Sequence, residues 1–211
     1  MRQLIFILFF SFVSSFALSL DQVRANLAKN SFASDSIEMS IRTTVNTPAG
    51  TQVVSIYIVQ KGLSKTYTEL RMPIMNQRSI VNGSRMKVVD LNTNKAQILP
   101  YNGEALAAMA YTNFNPLKSG EWDEPKFVSD GVYSIRGEKG TLYYDSKKKR
   151  VEKLESGEGD SFALTTFEYD TENNLKKMTV AVAAEGVNTS VVTEILAMRS
   201  SAKFPDKLFE F

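Results

Sequence analysis

Ser79-Ile80-Val81-Asn82-Gly83-Ser84-Arg85-Met86-Lys87-Val88-Val89-Asp90-Leu91-Asn92-Thr93-Asn94-Lys95-Ala96-Gln97-Ile98-Leu99-Pro100 is the stretch whose reading decides the fold. It reads as three short strands joined by two tight reversals. Asn82-Gly83 is a strong hairpin signal, because a type I′ turn needs positive φ at both central residues. Asn92-Thr93-Asn94 supplies the second reversal. Apolar side chains flank both turns (Ile80, Met86, Val88, Val89, Leu91, Ile98, Leu99), so the meander has a surface to cover. The alternation predicts one central panel of a curved sheet, with Ile80, Met86 and Val88 turned inward.

The same pattern extends in both directions. Upstream, Lys65–Leu70 runs back from Thr51–Lys61, which is apolar on both sides and predicts a central strand. Ser36–Thr47 alternates Ile37, Met39, Ile41, Thr43 and Val45 against Glu38, Ser40, Arg42, Thr44 and Asn46, the pattern of a half-buried antiparallel strand. Arg71-Met72-Pro73-Ile74-Met75 interrupts it, since proline cannot serve a central ladder. Downstream, candidate strands are Lys126–Ser129, Val132–Arg136, Thr141–Asp145, Arg150–Ser156, Ser161–Asp170, Leu175–Ala184 and Asn188–Arg199. A spacing of about 8–12 residues predicts a sandwich or barrel rather than βαβ units.

Between the two runs, Pro100–Glu124 differs in kind. Glu104–Tyr111 is rich in alanine and leucine and predicts a helix. Trp122, the only tryptophan, follows it. Long excursions of this kind inside a meander tend to be functional. The insert reads equally as a movable apolar lid or as a helix permanently packed on the sheet.

Met1-Arg2, the apolar run Leu4–Val13 and the small residues after it have the three-part form of a secretory signal peptide. Residues 1–19 are expected to be removed, after Ala17 or after Ser19. The run is short for a bilayer span. Leu20–Asn30 then places Leu20, Val23, Leu27 and Ala28 on one helical face, and Ser19 and Gln22 have capping-box spacing. That cap survives only cleavage after Ala17. No linker or charge block divides residues 20–211, which read as one domain.

The 211-residue chain has a formal charge of +2, and +1 without Arg2, too balanced to bind nucleic acid through charge. It contains no cysteine, so the fold must hold by burial alone. It contains no histidine either, which removes the commonest general base and metal ligand. Neither a cofactor nor a metal nor enzymatic activity is expected. Asp123, Glu124, Asp160 and Glu168 have no spacing that defines a hydrolase. Lys147-Lys148-Lys149-Arg150 reads as a solvated turn guarding an edge, or as a contact for an anionic membrane.

Ser79–Asp90, the leader, the opening helix, the mid-chain insert and the closing Pro205-Asp206-Lys207-Leu208-Phe209-Glu210-Phe211 resemble, in this order, the periplasmic lipoprotein-sorting carriers of the LolA type. The resemblance implies an α+β, mostly antiparallel fold: an incomplete, open β-barrel of roughly eleven strands with helices closing its concave face. It implies a monomeric periplasmic carrier that shields the acyl chains of a lipoprotein, taking them from an inner-membrane release complex to an outer-membrane acceptor. A lipid-sensing or protein-binding envelope domain is the alternative on the same fold. Candidate cavity and lid residues are Ile41, Tyr57, Met72, Met75, Ile80, Met86, Val88, Leu106, Met109, Phe114 and Trp122. Methionine suits irregular apolar ligands. In the resembling family an arginine on an early strand, beside a proline, holds the lid; Lys61 and Arg71 are the two basic candidates here.

Overall fold

A computed structural model describes residues 18–29, 36–62, 64–102, 115–118, 120–138, 140–158, 161–200 and 203–211. Thirteen strands pair into one antiparallel sheet, where roughly eleven were expected. They are β1 (Ser36–Thr47), β2 (Gly50–Lys61), β3 (Lys65–Met72), β4 (Met75–Asn82), β5 (Arg85–Asp90), β6 (Ala96–Pro100), β7 (Lys126–Ser129), β8 (Val132–Gly137), β9 (Gly140–Asp145), β10 (Arg150–Glu158), β11 (Ser161–Tyr169), β12 (Leu175–Ala184) and β13 (Val187–Ser200). The strand order runs from β6 through β1, across to β13, and on down to β7. Two meanders therefore meet at a β1–β13 seam, where Asn46 faces Ser190 and Ile37 faces Ser200. The sheet is curled and unclosed, with β6 and β7 as its edges. Register shifts in the β1–β13, β9–β10, β11–β12 and β7–β8 pairs mark bulges, which raise local twist and bend a sheet.

The stretch 79–100 therefore closes one end of the sheet rather than its centre. The central position belongs to β1 and β13, because the last strand returns to the first. The first reversal also differs from expectation. Asn82 pairs with Arg85, so the loop is Gly83-Ser84, and of the Asn82-Gly83 pair only Gly83 has positive φ, at 62°. The Asn82 side chain is used elsewhere: its amide donates to the Phe209 carbonyl at 3.2 Å. Arg71–Met75 is not a break but a tight hairpin, with Met72 facing Met75 across Pro73-Ile74. Proline is suited to such a turn because its φ is preset.

The α-helix among the described residues is α1, Leu20–Lys29. Its capping box forms as spaced: Gln22 N–H donates to Ser19 Oγ at 3.2 Å and Ser19 N–H to Gln22 Oε1 at 3.1 Å. Leu20, Val23 and Leu27 are buried against Leu117, Ile135, Leu142, Tyr144, Val151 and Phe167. Leu20 N–H donates to Glu124 at 2.9 Å and Asn26 to the Tyr144 hydroxyl at 3.1 Å. The segment 104–111, expected to be helical, lies outside the described residues.

At the other end of the chain, Phe204–Phe211 packs on the opposite side of the sheet. Phe209 is buried against Val59 and Ile80, with Tyr57, Tyr67, Phe204 and Leu208 around them. Lys61 and Lys65 both reach Asp206, at 3.0 and 2.8 Å, and the Arg85 guanidinium stands over the Phe211 ring.

Candidate functional site

Residues directly opposite one another on paired strands project to the same side. This rule carries a side assignment across the whole sheet. Met39 faces Ile58, Ile58 faces Thr68, Thr68 faces Ser79, Ser79 faces Val88 and Val88 faces Gln97. In the other direction Thr43 faces Thr193, Thr193 faces Met178 and Met178 faces Phe167, which touches the α1 cluster. This side is the helix face; the other is the tail face.

On β1–β6 the helix face carries Ile37, Met39, Ile41, Val54, Ile56, Ile58, Leu70, Met72, Met75, Val81, Met86, Val88 and Leu99, with Thr, Ser and Gln between them. Its single ionisable group is Asp90, whose carboxylate accepts the Asn92 and Thr93 backbone N–H groups at 2.8 and 3.2 Å. Every other charge of these strands stands on the tail face. There Glu38 accepts from Tyr57 at 2.7 Å and from Arg199 at 2.6 Å. Glu69 accepts from Tyr67, from Arg78 at 2.8 and 3.1 Å, and from Arg71 at 3.0 Å. The Tyr67 hydroxyl and the two guanidiniums hold the Glu69 carboxyl down at about 2. Burial, and then its bond to Glu38, pushes the Tyr57 phenol up to about 12. Glu38 and Glu69 are thus committed to tyrosine and arginine partners on the tail face, and apart from Asp90 the described helix face of these strands offers apolar and neutral polar side chains.

The expected site residues divide between the two sides. Ile41, Met72, Met75, Met86 and Val88 share the helix face. Ile41 is a buried core residue beside Met39 and Ile58; Met75 is 41% exposed. Tyr57 and Ile80 project from the tail face and pack under the tail. Ile80 is opposite Lys87, whereas Met86 is opposite Val81, so Ile80 cannot line a surface with Met86 and Val88. Trp122 bridges to Gly137 and packs against the α1 cluster. A Cβ at Gly137 would lie 2.6 Å from the Trp122 ring, so glycine is required there. Lys61 and Arg71 both stand on the tail face, Lys61 on Asp206 and Arg71 on Glu69. Leu106, Met109 and Phe114 lie outside the described residues. Val54, Ile56 and Leu70 join the helix face without having been singled out; simple parity along each strand identifies them.

Two grooves lined by described residues open at the strand ends. One, of about 320 Å³, is lined by Met75, Gln77, Val88, Asp90, Lys95, Ala96 and Gln97. The other, of about 630 Å³, lies among Thr47, Pro48, Phe162, Leu164, Ala181, Val182, Gly186 and Ser190. Among the described residues no group of acidic, histidine or cysteine side chains could hold a metal ion.

An unclosed antiparallel sheet with a helix laid on one apolar side has the fold of the LolA-type proteins. No family model and no curated protein sequence matches the chain. Among solved structures it is similar to a LolA superfamily protein from Nitrosomonas europaea, at 15% identity and TM-score 0.57 over 92% of this chain and 99% of that one. It is also similar to an outer membrane lipoprotein-sorting protein domain from Vibrio parahaemolyticus, at 8% identity and TM-score 0.52 over 89% and 94%. At these identities the likeness is one of fold.

Proposed function

We propose that the protein is a periplasmic carrier that shelters the acyl chains of a lipoprotein or lipid on the helix face of β1–β6. One observation carries this reading: six adjacent strands present a side with one ionisable group, already committed to a turn. The Lol-type fold supports it. Bare acyl chains do not cross water, since each buried CH₂ is worth about 0.8 kcal/mol and a sixteen-carbon chain therefore roughly 12 kcal/mol. No covalent step is needed, so the absence of histidine and cysteine is no handicap. In this reading the insert with Leu106, Met109 and Phe114 is the lid that closes the concave side. The leader directs export and is cleaved, and the monomer loads at an inner-membrane release complex and unloads at an outer-membrane acceptor.

Displacement of a bound fluorescent fatty acid, with native mass spectrometry of the purified protein, tests the reading. Val88→Asp and Leu106→Asp should lower uptake at least tenfold. Ile98→Asp, on the tail face of the edge strand, should leave it unchanged. A wild-type protein that carries and takes up no lipid would overturn the carrier and favour the protein-binding envelope domain.

A further inference from the structure

The sheet has two edges, and they are protected differently. β7 follows Pro125, begins with Lys126 and is bulged between Phe127 and Ser129. Short length, charge, proline and bulges are the usual guards of an edge strand. β6, Ala96-Gln97-Ile98-Leu99-Pro100, has no charged residue and pairs with β5 without a register shift. All five of its residues are exposed, Ile98 to 48%. The hydrogen-bond pattern fixes which of its groups face outward. Asp90 N–H donates to the Lys95 carbonyl at 2.9 Å, and Tyr101 N–H to the Ser84 carbonyl at 2.8 Å. Bonded and non-bonded pairs alternate along an antiparallel ladder. Gln97 and Leu99 therefore turn their N–H and carbonyl groups toward β5, and Ala96 and Ile98 turn theirs outward. Pro100, the one guard on this strand, has no N–H to offer there.

On the tail face beside this edge, cations outnumber carboxylates. Asp206 is shared by Lys61 and Lys65, and Glu69 by Arg71 and Arg78. Arg85 stands on the Phe211 ring, and among the described residues neither Arg85 nor Lys87 has a carboxylate partner. The tail's other charged side chains are Lys203, Lys207 and Glu210. Asp90, at the turn before β6, belongs to the opposite face. Lys87 is directly opposite Ile98, and Arg85 is opposite Pro100. A strand laid outside β6 would thus stand two strand spacings, roughly 10 Å, from Lys87 and Arg85. A lysine or arginine and a glutamate side chain together span that distance.

We propose that β6 receives an extended segment of a partner protein as a further strand, and that this segment is acidic at alternate positions. Its main chain pairs with Ala96 and Ile98, and its carboxylates project to the tail face, toward Lys87 and Arg85. Neutral or apolar residues between them lie alongside Gln97 and Leu99. A second copy of the chain fits less well, because β6 against β6 would set two unbalanced cationic faces side by side. A bilayer offers no main-chain groups to Ala96 and Ile98. The proposal does not rest on the carrier reading.

Fluorescence anisotropy of a labelled ten-residue peptide alternating glutamate and valine tests it. The protein should bind this peptide, and at least threefold more weakly at about 300 than at about 50 mM salt. A peptide alternating lysine and valine should bind at least tenfold more weakly. Ile98→Pro and Ala96→Pro each remove an outward N–H that the fold does not use, so each should weaken peptide binding more than tenfold with the thermal midpoint and fatty-acid displacement unchanged. Lys87→Glu combined with Arg85→Glu should reverse the preference between the two peptides. Val128→Pro, on the β7 edge, should behave as wild type. Absence of peptide binding, or binding that survives both proline variants, would overturn the proposal. So would a dimer that Ile98→Pro dissociates, or phosphatidylglycerol vesicles bound where the acidic peptide is not.

Discussion

The two halves of the sheet carry their described covers on opposite sides, and the difference separates a filled panel from a partly exposed one. On β8–β12, α1 lies on the helix face and the packing is complete: Ile135, Leu142 and Tyr144 are 0% exposed. On β2–β5 the described cover is the tail, and it lies on the other side, over Val59 and Ile80. On the helix face of that half Ile58, Thr66 and Val81 are buried, Met72, Met86 and Val88 are half-buried and Met75 is exposed. The same alternating pattern thus serves two ends. In one half the apolar side is spent on the protein's own helix; in the other Ile58, Thr66 and Val81 are buried while Met72, Met75, Met86 and Val88 keep part of their surface exposed.

The sharpest way to break this comparison is to cut into the filled panel. Leu142→Ala should cost about 4 kcal/mol of stability in a denaturant melt, because a large residue is removed from a site closed on all sides. A loss below about 1 kcal/mol would show the panel to be loosely packed. Phe209→Ala should cost about 3 kcal/mol, since its ring is equally buried. Hydrogen exchange should then rise in β2–β4 and not in β8–β11. Uniform acceleration would mean that the two halves are not separately braced.

A smaller effect concerns pH. Glu69 is held at about 2 by Tyr67, Arg78 and Arg71, below the ordinary glutamate value of about 4.3. A group lowered on folding stabilises the fold above its unfolded pKa, and that contribution disappears as pH falls from about 4.3 toward 2. Screened by the solvent that reaches the site, it should amount to about 1 kcal/mol. Melts of the wild type and of Glu69→Gln between pH 5 and 2 should therefore converge at the acid end. A constant gap would remove the charge explanation. The smallest effect expected is Ser19→Ala. Its cap bonds are exposed, so about 0.5 kcal/mol should be lost, seen as fraying of α1 alone.

Much of the architecture was legible because local rules and global fold agree. Strand positions followed from alternation, the helix from Leu20, Val23 and Leu27, and its start from the Ser19–Gln22 spacing. Side assignment is also within reach of the sequence, and it places Ile80 on the tail face rather than inward with Met86 and Val88. Any two-residue loop pairs an odd position with an even one, so Ile80 and Met86, both even, must face opposite ways. The strand order was not legible. Nothing local in Ser36–Thr47 or Asn188–Arg199 says that they pair, since a seam of this kind is decided by closure of the whole sheet. The tail was also out of reach: Phe209 finds Val59 and Ile80 only after three strands are in register.

The β1–β13 seam has a further consequence, for the order in which the chain assembles. Its partners are far apart in sequence: Asn46 bonds Ser190 across 144 residues and Arg199 bonds Glu38 across 161. Each meander is built of neighbouring hairpins and can form early, but the seam cannot begin until the last strand has arrived. Contacts of such separation slow folding, because loop-closure entropy is spent before the pairing returns it. Until then both β1 and β13 are free edges, able to pair with another chain. A molecule translocated N-terminus first would pass through that state every time, with its first strand waiting for its last.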